Sequence, residues 1–106
     1  TQLNATAIHK EVAVRLLNNQ GQEVKGFIDM LVETKDEIHI IDHKSFGSGN
    51  TSRETLEEEA LKYSGQLASY AEIVSLEYAG KSVRTWIYFV VEGLMVGVIN
   101  NSIIGR

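Results

Sequence analysis

The chain has 106 residues, of which 43% are hydrophobic and 23% charged, with no cysteine and a formal net charge of −4 at pH 7. This composition predicts one globular domain over residues 1–106, excludes disulfides and cysteine-bound zinc, and argues against a broad basic face for nucleic acid. No run approaches the roughly 18 apolar residues of a membrane-spanning helix. We expect a cytoplasmic protein without a membrane partner and, because the sequence begins at Thr1, a piece of a longer protein.

Three strands are predicted in the first half of the chain. Alternating apolar residues from 7 to 17 favour a half-buried strand, and a turn at 18 to 22 separates it from a second strand over 24 to 34. The polar residues 35 to 37 form a short loop before a third strand over 38 to 46. We expect these strands to form an antiparallel meander.

One long helix is predicted after the polar loop GSGNTS at residues 47 to 52, which we expect to be mobile. Thr51 and Glu54 have the spacing of a capping box. Apolar side chains recur every three or four positions from about Arg53 to Tyr78, which is typical of a helix with one buried stripe. The acidic run at 57 to 59 lies off this stripe and is expected to be a solvated face.

Two more strands, joined by a tight turn around Glu92 and Gly93, complete the order β-β-β-α-β-β. The fold class predicted is therefore α/β (α+β), with a mixed sheet of about five strands and one long flanking helix.

The third predicted strand ends in two charged residues. In IIDHKSF, residues 40 to 46, Asp42 and Lys44 are two positions apart and so share one face, continuing a line of isoleucines. Asp29 interrupts the apolar run FIDMLV of the second strand, and the short loop brings it to about the height of Asp42, roughly 5 Å away on the neighbouring strand.

Two adjacent carboxylates repel each other unless a proton or a cation lies between them, and a hard divalent cation suits their oxygen atoms. Lys44 beside them can stabilise charge on a phosphate or orient an attacking water. This set favours metal-assisted phosphodiester hydrolysis. The plainer interpretation, an exposed ion pair of Asp42 and Lys44 with Asp29 near a sheet edge, stays open.

A second group of polar residues lies on the predicted helix. Gln66 and Tyr70 are four residues apart and share a helix face, so an amide and a phenol can reach the same neighbour. Tyr63 and Tyr70 also fit the apolar stripe, and a purely structural role explains them equally well. His39 and His43 share a strand face but are about 13 Å apart, too far to bind one metal ion together, and we expect them to be surface or partner-facing residues.

Taken together, these residues resemble the PD-(D/E)XK nuclease superfamily, and within it the nuclease domain of RecB- and AddA-type helicase-nucleases. The resemblance rests on Glu11, GFID at 26 to 29, IIDHKS at 40 to 45 and the YxxQLxxY pattern at 63 to 70, and it spans about residues 8 to 99. It implies a restriction-endonuclease-like core.

The resemblance also implies the roles of individual residues. Asp29 and Asp42 would bind Mg²⁺ or Mn²⁺ with the main-chain carbonyl of His43, and Lys44 would be the catalytic lysine. Supporting roles are implied for Glu11, Gln66 and Tyr70. The implied partners are DNA, in particular single-stranded DNA, helicase domains of the same chain and a second subunit, in DNA end processing, recombination and repair.

One feature of these nucleases has no counterpart in the sequence. They usually carry a metal-binding histidine on a helix before the first strand, and His9 lies too close to that strand to match it. Two interpretations stay open: this helix lies outside the present sequence, or the site is incomplete and the isolated fragment is inactive. Two rival hypotheses stay open: a catalytically inactive nuclease-like module that binds DNA or docks protein, and a structural or small-ligand α/β domain.

Overall fold

The computed structural model describes residues 5–17, 20–99 and 102–105. Its elements, in chain order, are β1 (Ala7–Leu17), β2 (Glu23–Glu33), β3 (Glu37–Lys44), α1 (Arg53–Leu61), α2 (Ser64–Glu77), β4 (Ser82–Phe89), β5 (Leu94–Ile99) and β6 (Ser102–Gly105). Neither described helix is long and apolar enough to cross a membrane.

The strands form one open sheet in the order β1-β2-β3-β4-β5-β6. β3 and β4 run parallel, and every other neighbouring pair is antiparallel. The two helices provide the crossover that a parallel pair requires. This confirms the meander and the mixed sheet, although the expected count of about five strands misses β6, a strand of four residues whose pairing with β5 is irregular.

Both helices pack on one face of the sheet and enclose the core. The fully buried side chains there include Ile38 and Ile40 of β3, Leu56 and Ala60 of α1, Leu67 of α2, Ile87 and Phe89 of β4, and Val96 and Val98 of β5. β3 is central, with neighbours on both sides, and its segment from 38 to 42 is buried throughout. Burial on both faces is typical of a central strand that has a parallel neighbour.

The single long helix predicted over 53 to 78 is wrong in one respect, because the chain forms two helices with a break at Lys62 and Tyr63. Tyr63 has φ −99° and ψ 6°, outside the helical range. The N–H groups of both residues bond three residues back, to Glu59 and Ala60, which tightens the turn before α2 begins.

The start of α1 also differs from the expected capping box. Ser52, not Thr51, is the N-cap, and its hydroxyl accepts a hydrogen bond from the Thr55 N–H at 3.2 Å. The helix therefore begins at Arg53, as predicted, with a different capping side chain.

On the sheet face away from the helices, His39 is 2% exposed, which corrects its interpretation as a surface residue. Its Nδ1 accepts a hydrogen bond from Trp86 Nε1 at 3.0 Å, so its Nε2 carries the proton and donates to Glu37, 3.1 Å away. Glu37 also accepts from Arg84 Nε at 2.7 Å. The hydrogen bond from Arg84 is the largest cause of the lowered pKa of Glu37.

We expect Glu37→Gln to lower the melting temperature at neutral pH, with a difference from wild type that narrows as the pH falls. Because the pKa of Glu37 is lower in the folded protein, its ionised form stabilises the fold above the ordinary value of 4.5, and this contribution is lost as the pH falls through the folded pKa. Thermal unfolding followed by circular dichroism measures both effects. Glu72→Gln in α2, an exposed residue, is the control, and a pH-independent difference for Glu37→Gln would contradict the expectation.

Candidate active site

The C-terminal end of β3 brings two carboxylates together. Met30 and Ile41 form the last β2–β3 pair in the register, so the next positions, Asp29 and Asp42, lie side by side. Asp29 Oδ2 accepts a hydrogen bond from the main-chain N–H of His43 at 2.9 Å. The structure thus brings together the carboxylates that the sequence analysis paired.

The two carboxyl groups have different electrostatic environments. Burial raises the pKa of Asp42, and the adjacent Asp29 raises it further, while Lys44 acts in the opposite direction. Partial burial also opposes ionisation of Asp29, but the hydrogen bond from the His43 N–H, together with smaller contributions from Asp42, His43 and Lys44, outweighs it, so the pKa of Asp29 is lowered. Of the pair, Asp29 is therefore the more readily ionised.

Lys44 extends from the same face of β3 as Asp42, and its Nζ lies 2.9 Å from Asp42 Oδ2. The Asp42 Oδ2 atom is buried, and the Lys44 ammonium lies against it. Burial disfavours an ionised carboxylate, and a paired cation offsets part of that cost.

The Lys44 ammonium also lies 4.2 Å from the centroid of the Tyr63 ring. Burial opposes its charge, but the contact with Asp42 outweighs burial, with smaller contributions from Tyr63 and Asp29, and the pKa of Lys44 is raised. Lys44 is therefore a cation at neutral pH.

Tyr70 reaches β2, and Gln66 binds its hydroxyl. Gln66 Nε2 donates a hydrogen bond to the Tyr70 hydroxyl at 3.2 Å, and the Phe27 main-chain N–H donates to the same oxygen. A Cβ added to Gly26 would lie 2.8 Å from this hydroxyl. Glycine at position 26 therefore lets Tyr70 contact the strand three residues before Asp29.

Glu11 lies opposite Asp29 in the β1–β2 register, between the pairs of Lys10 with Met30 and Val12 with Ile28. Its φ of +52° is uncommon for a residue with a side chain and interrupts the regular strand geometry. Its side chain is exposed, and the described contacts include none between it and either aspartate. Glu11 is therefore next to the site by the position of its backbone in β1, opposite Asp29.

The loop after Lys44, which we expected to be mobile, is held by the β4–β5 turn. Glu92 Oε2 accepts a hydrogen bond from the Gly49 N–H at 2.5 Å. A Cβ added to Gly47 would lie 2.6 Å from the same oxygen, so the glycine permits this close approach. Nothing in the sequence pattern pointed to Glu92, which was predicted only as part of a turn.

The residues present fit a divalent cation of the hard class. The side-chain donors that meet here are the carboxylate oxygens of Asp29 and Asp42, and the resemblance adds the main-chain carbonyl of His43. No group of three or more His, Cys, Asp or Glu side chains suited to a metal occurs in the described part of the chain. Mg²⁺ needs no such group, because it is commonly held by one or two carboxylates with water and substrate phosphate.

A family model of the PD-(D/E)XK nuclease superfamily matches residues 1–99. The chain belongs to the PD-(D/E)XK nuclease superfamily. This membership confirms the resemblance at the superfamily level and the restriction-endonuclease-like fold. It also indicates a nuclease-type function with divalent metal ions and DNA as the bound substrate. A comparison with curated proteins finds no match.

The two aspartates should respond oppositely to the same substitution. We expect Asp42→Asn to leave the melting temperature unchanged or raise it at about pH 7 in the presence of EDTA, because the ionised form of a group with a raised pKa destabilises the fold above that pKa. Asp29→Asn should lower the melting temperature, since the pKa of Asp29 is lowered. Differential scanning calorimetry of the matched pair measures both changes, and shifts of the same sign would contradict this account.

A double-mutant cycle tests the contact between Tyr70 and Gly26. We expect Gly26→Ala to destabilise the protein by about 1–3 kcal/mol through overpacking, and Tyr70→Phe to recover part of this loss by removing the hydroxyl that the new methyl group meets. Urea unfolding of the two single variants and the double variant gives the coupling energy.

Gly65→Ala in α2 is the control for this cycle, because an added Cβ there has no neighbour within 4 Å. It should be neutral or stabilising, since alanine favours a helix interior. Additive effects of Gly26→Ala and Tyr70→Phe would show that the hydroxyl is not what excludes a side chain at position 26.

Proposed function

We propose that the chain is the nuclease domain of a RecB/AddA-like helicase-nuclease, which hydrolyses DNA phosphodiesters with Mg²⁺ or Mn²⁺. The observation that carries this proposal is the placement of two carboxylates side by side at the end of β3, where the buried Asp42 lies against the Lys44 ammonium and Asp29 is beside it on β2. An ordinary salt bridge at a strand end does not require a second carboxylate at the same place.

Each residue of the site has a distinct role in this proposal. Asp29, Asp42 and the carbonyl of His43 would hold the cation, and the His43 N–H keeps Asp29 ionised and oriented. A divalent cation bound there supplies Lewis-acid activation of the phosphate and of a water nucleophile. Lys44, as a permanent cation, donates hydrogen bonds to a phosphate oxygen or to the water and stabilises developing negative charge.

The supporting residues act on the scaffold. Tyr70, held by Gln66, contacts β2 at Gly26 and so fixes the strand that carries Asp29. Glu11 shapes the adjacent strand opposite Asp29. These contacts hold the carboxylates in place before substrate binds, which is how a site avoids reorganisation during reaction.

The biological setting of the proposal is DNA end processing in recombination and repair. The net charge of −4 gives the chain little general attraction for phosphates. Helicase domains of the same protein, with a second subunit, would deliver single-stranded DNA to the site. The lack of cysteine fits the reducing cytoplasm.

A second candidate is a nuclease-like module that binds DNA or protein without cleavage. The observation in its favour is that only two acidic side chains converge at the site in the described residues, so a third ligating side chain is lacking there. In that case the Asp42–Lys44 contact would be structural.

We expect Asp42→Ala to lose both metal binding and cleavage, with a fall in rate of at least about 100-fold. Lys44→Met should lose cleavage to a similar extent while retaining Mn²⁺ binding, because Lys44 is not a ligand. Cleavage of end-labelled single-stranded DNA and Mn²⁺ titration by electron paramagnetic resonance measure the two properties, on this chain and on a form extended at its N-terminus.

Asp36→Ala is the control. Asp36 is an exposed aspartate in the turn between β2 and β3, at the end of β3 that lies away from the site. It should cleave and bind metal like wild type. Cleavage that survives Asp42→Ala would exclude the assigned site. DNA binding without cleavage or metal binding in either form would favour the inactive module.

A further inference from the structure

Tyr63 lies at the break between α1 and α2, beside the end of β3. Its ring centroid is 4.2 Å from Lys44 Nζ, well inside the roughly 6 Å over which a cation is attracted to an aromatic face. Lys44 thus has two contacts of different kinds, a carboxylate at 2.9 Å and an aromatic ring.

The ring itself is held by its surroundings. Tyr63 packs against the core at its apolar edge, and its hydroxyl donates a hydrogen bond to Glu59 Oε2 at 3.3 Å. The other oxygen of Glu59 pairs with Lys62 at 2.9 Å. The Glu59 side chain is only 12% exposed, so this member of the acidic run is not the solvated residue that we expected.

The interruption of the helix allows this arrangement. Tyr63 leaves the helical conformation, while its carbonyl still accepts the first hydrogen bond of α2 from Leu67. Its backbone is therefore tied to α1 through Ala60 and to α2 through Leu67. Because the backbone of Tyr63 is hydrogen-bonded to both helices, its ring has a fixed position next to the flexible Lys44 side chain.

We propose that Tyr63 is a positioning residue that holds the ammonium of Lys44 at the active site through a cation–π contact, with Glu59 holding the ring. The catalytic part of this inference rests on the proposed nuclease function. The ring offers no atom that competes for a metal or a phosphate, so it keeps Lys44 in place when Asp42 binds another partner. A lysine held only by Asp42 would lose its orientation at that moment.

The first test reads the position of Lys44 without using activity. Protons above an aromatic ring resonate upfield, so the ε-methylene signals of Lys44 should be shifted upfield in wild type. Tyr63→Phe, which keeps the ring, should preserve most of the shift, whereas Tyr63→Leu should abolish it. Lys44→Met assigns the signals. A Lys44 resonance at its ordinary position in wild type, or a shift that survives Tyr63→Leu, would overturn the proposal.

The second test is the rate of cleavage of single-stranded DNA under single-turnover conditions. Tyr63→Leu should lower the maximal rate roughly tenfold, the size of a partly buried cation–π contact, with little change in DNA affinity. Tyr63→Phe should recover most of that rate. An equal rate in Tyr63→Leu and wild type would show that the contact does not serve catalysis.

Tyr78→Leu is the matched control, since Tyr78 also packs partly buried against the core but lies at the other end of α2, about 20 Å along the helix. Both substitutions remove a tyrosine that packs against the core, so both should lower the stability of the protein. Only Tyr63→Leu should also change the Lys44 signals and the cleavage rate. Absence of cleavage in wild type would overturn the proposed function, and the spectroscopic comparison would still decide whether Tyr63 positions Lys44.

Discussion

The burial of Asp42 at the end of a central strand is the constraint on which the rest of the site depends. A carboxylate in such a position loses hydration, and a second carboxylate beside it adds repulsion. The surrounding groups compensate in part: the His43 N–H stabilises Asp29, and the Lys44 ammonium lies against Asp42. The two carboxylates nevertheless remain adjacent, with the pKa of Asp29 lowered and that of Asp42 raised, and ionisable groups perturbed in this way are characteristic of a site that binds a ligand.

The sheet places these groups with little freedom. β3 is paired on both sides, antiparallel to β2 and parallel to β4. A shift of its register by one residue would turn its buried isoleucines to the opposite face of the sheet, so the register is fixed. Asp42 is the last residue of the buried segment, and Lys44 follows where the strand end becomes accessible. The same hydrophobic contacts that stabilise the fold therefore determine the separation of the two carboxylates.

Two tyrosines add contacts from the helical layer, Tyr70 from α2 and Tyr63 from the break between α1 and α2. Tyr70 reaches β2 where Gly26 leaves space for its hydroxyl, and Tyr63 reaches the end of β3 where its ring meets Lys44. These residues belong to the apolar stripe, and one tyrosine can serve both purposes because its ring packs while its hydroxyl or its face contacts a polar group. Tyr63 and Tyr70 thus both pack against the core and contact residues at or near the site.

Much of this architecture follows from local patterns that the sequence displays. Alternation and continuous apolar runs determined the strands, three- and four-residue spacing determined the helical stripe, and the two-residue spacing of Asp42 and Lys44 put them on one face. The hairpin between the second and third strands was short enough to bring Asp29 beside Asp42. Such predictions succeed because each depends on neighbours in sequence or on one tight connection.

The tertiary structure alone decided the remaining features, because they depend on contacts between residues far apart in the chain. The helix breaks at Tyr63, whose apolar side chain fits a continuous helix equally well by its spacing. Glu59 and His39 are buried by neighbours that periodicity does not specify, and Glu92 meets a loop more than forty residues away. The sequence by itself determined which residues are candidates for the chemistry, because their spacing sets which of them share a strand or helix face, and packing in three dimensions decided which of them contact one another.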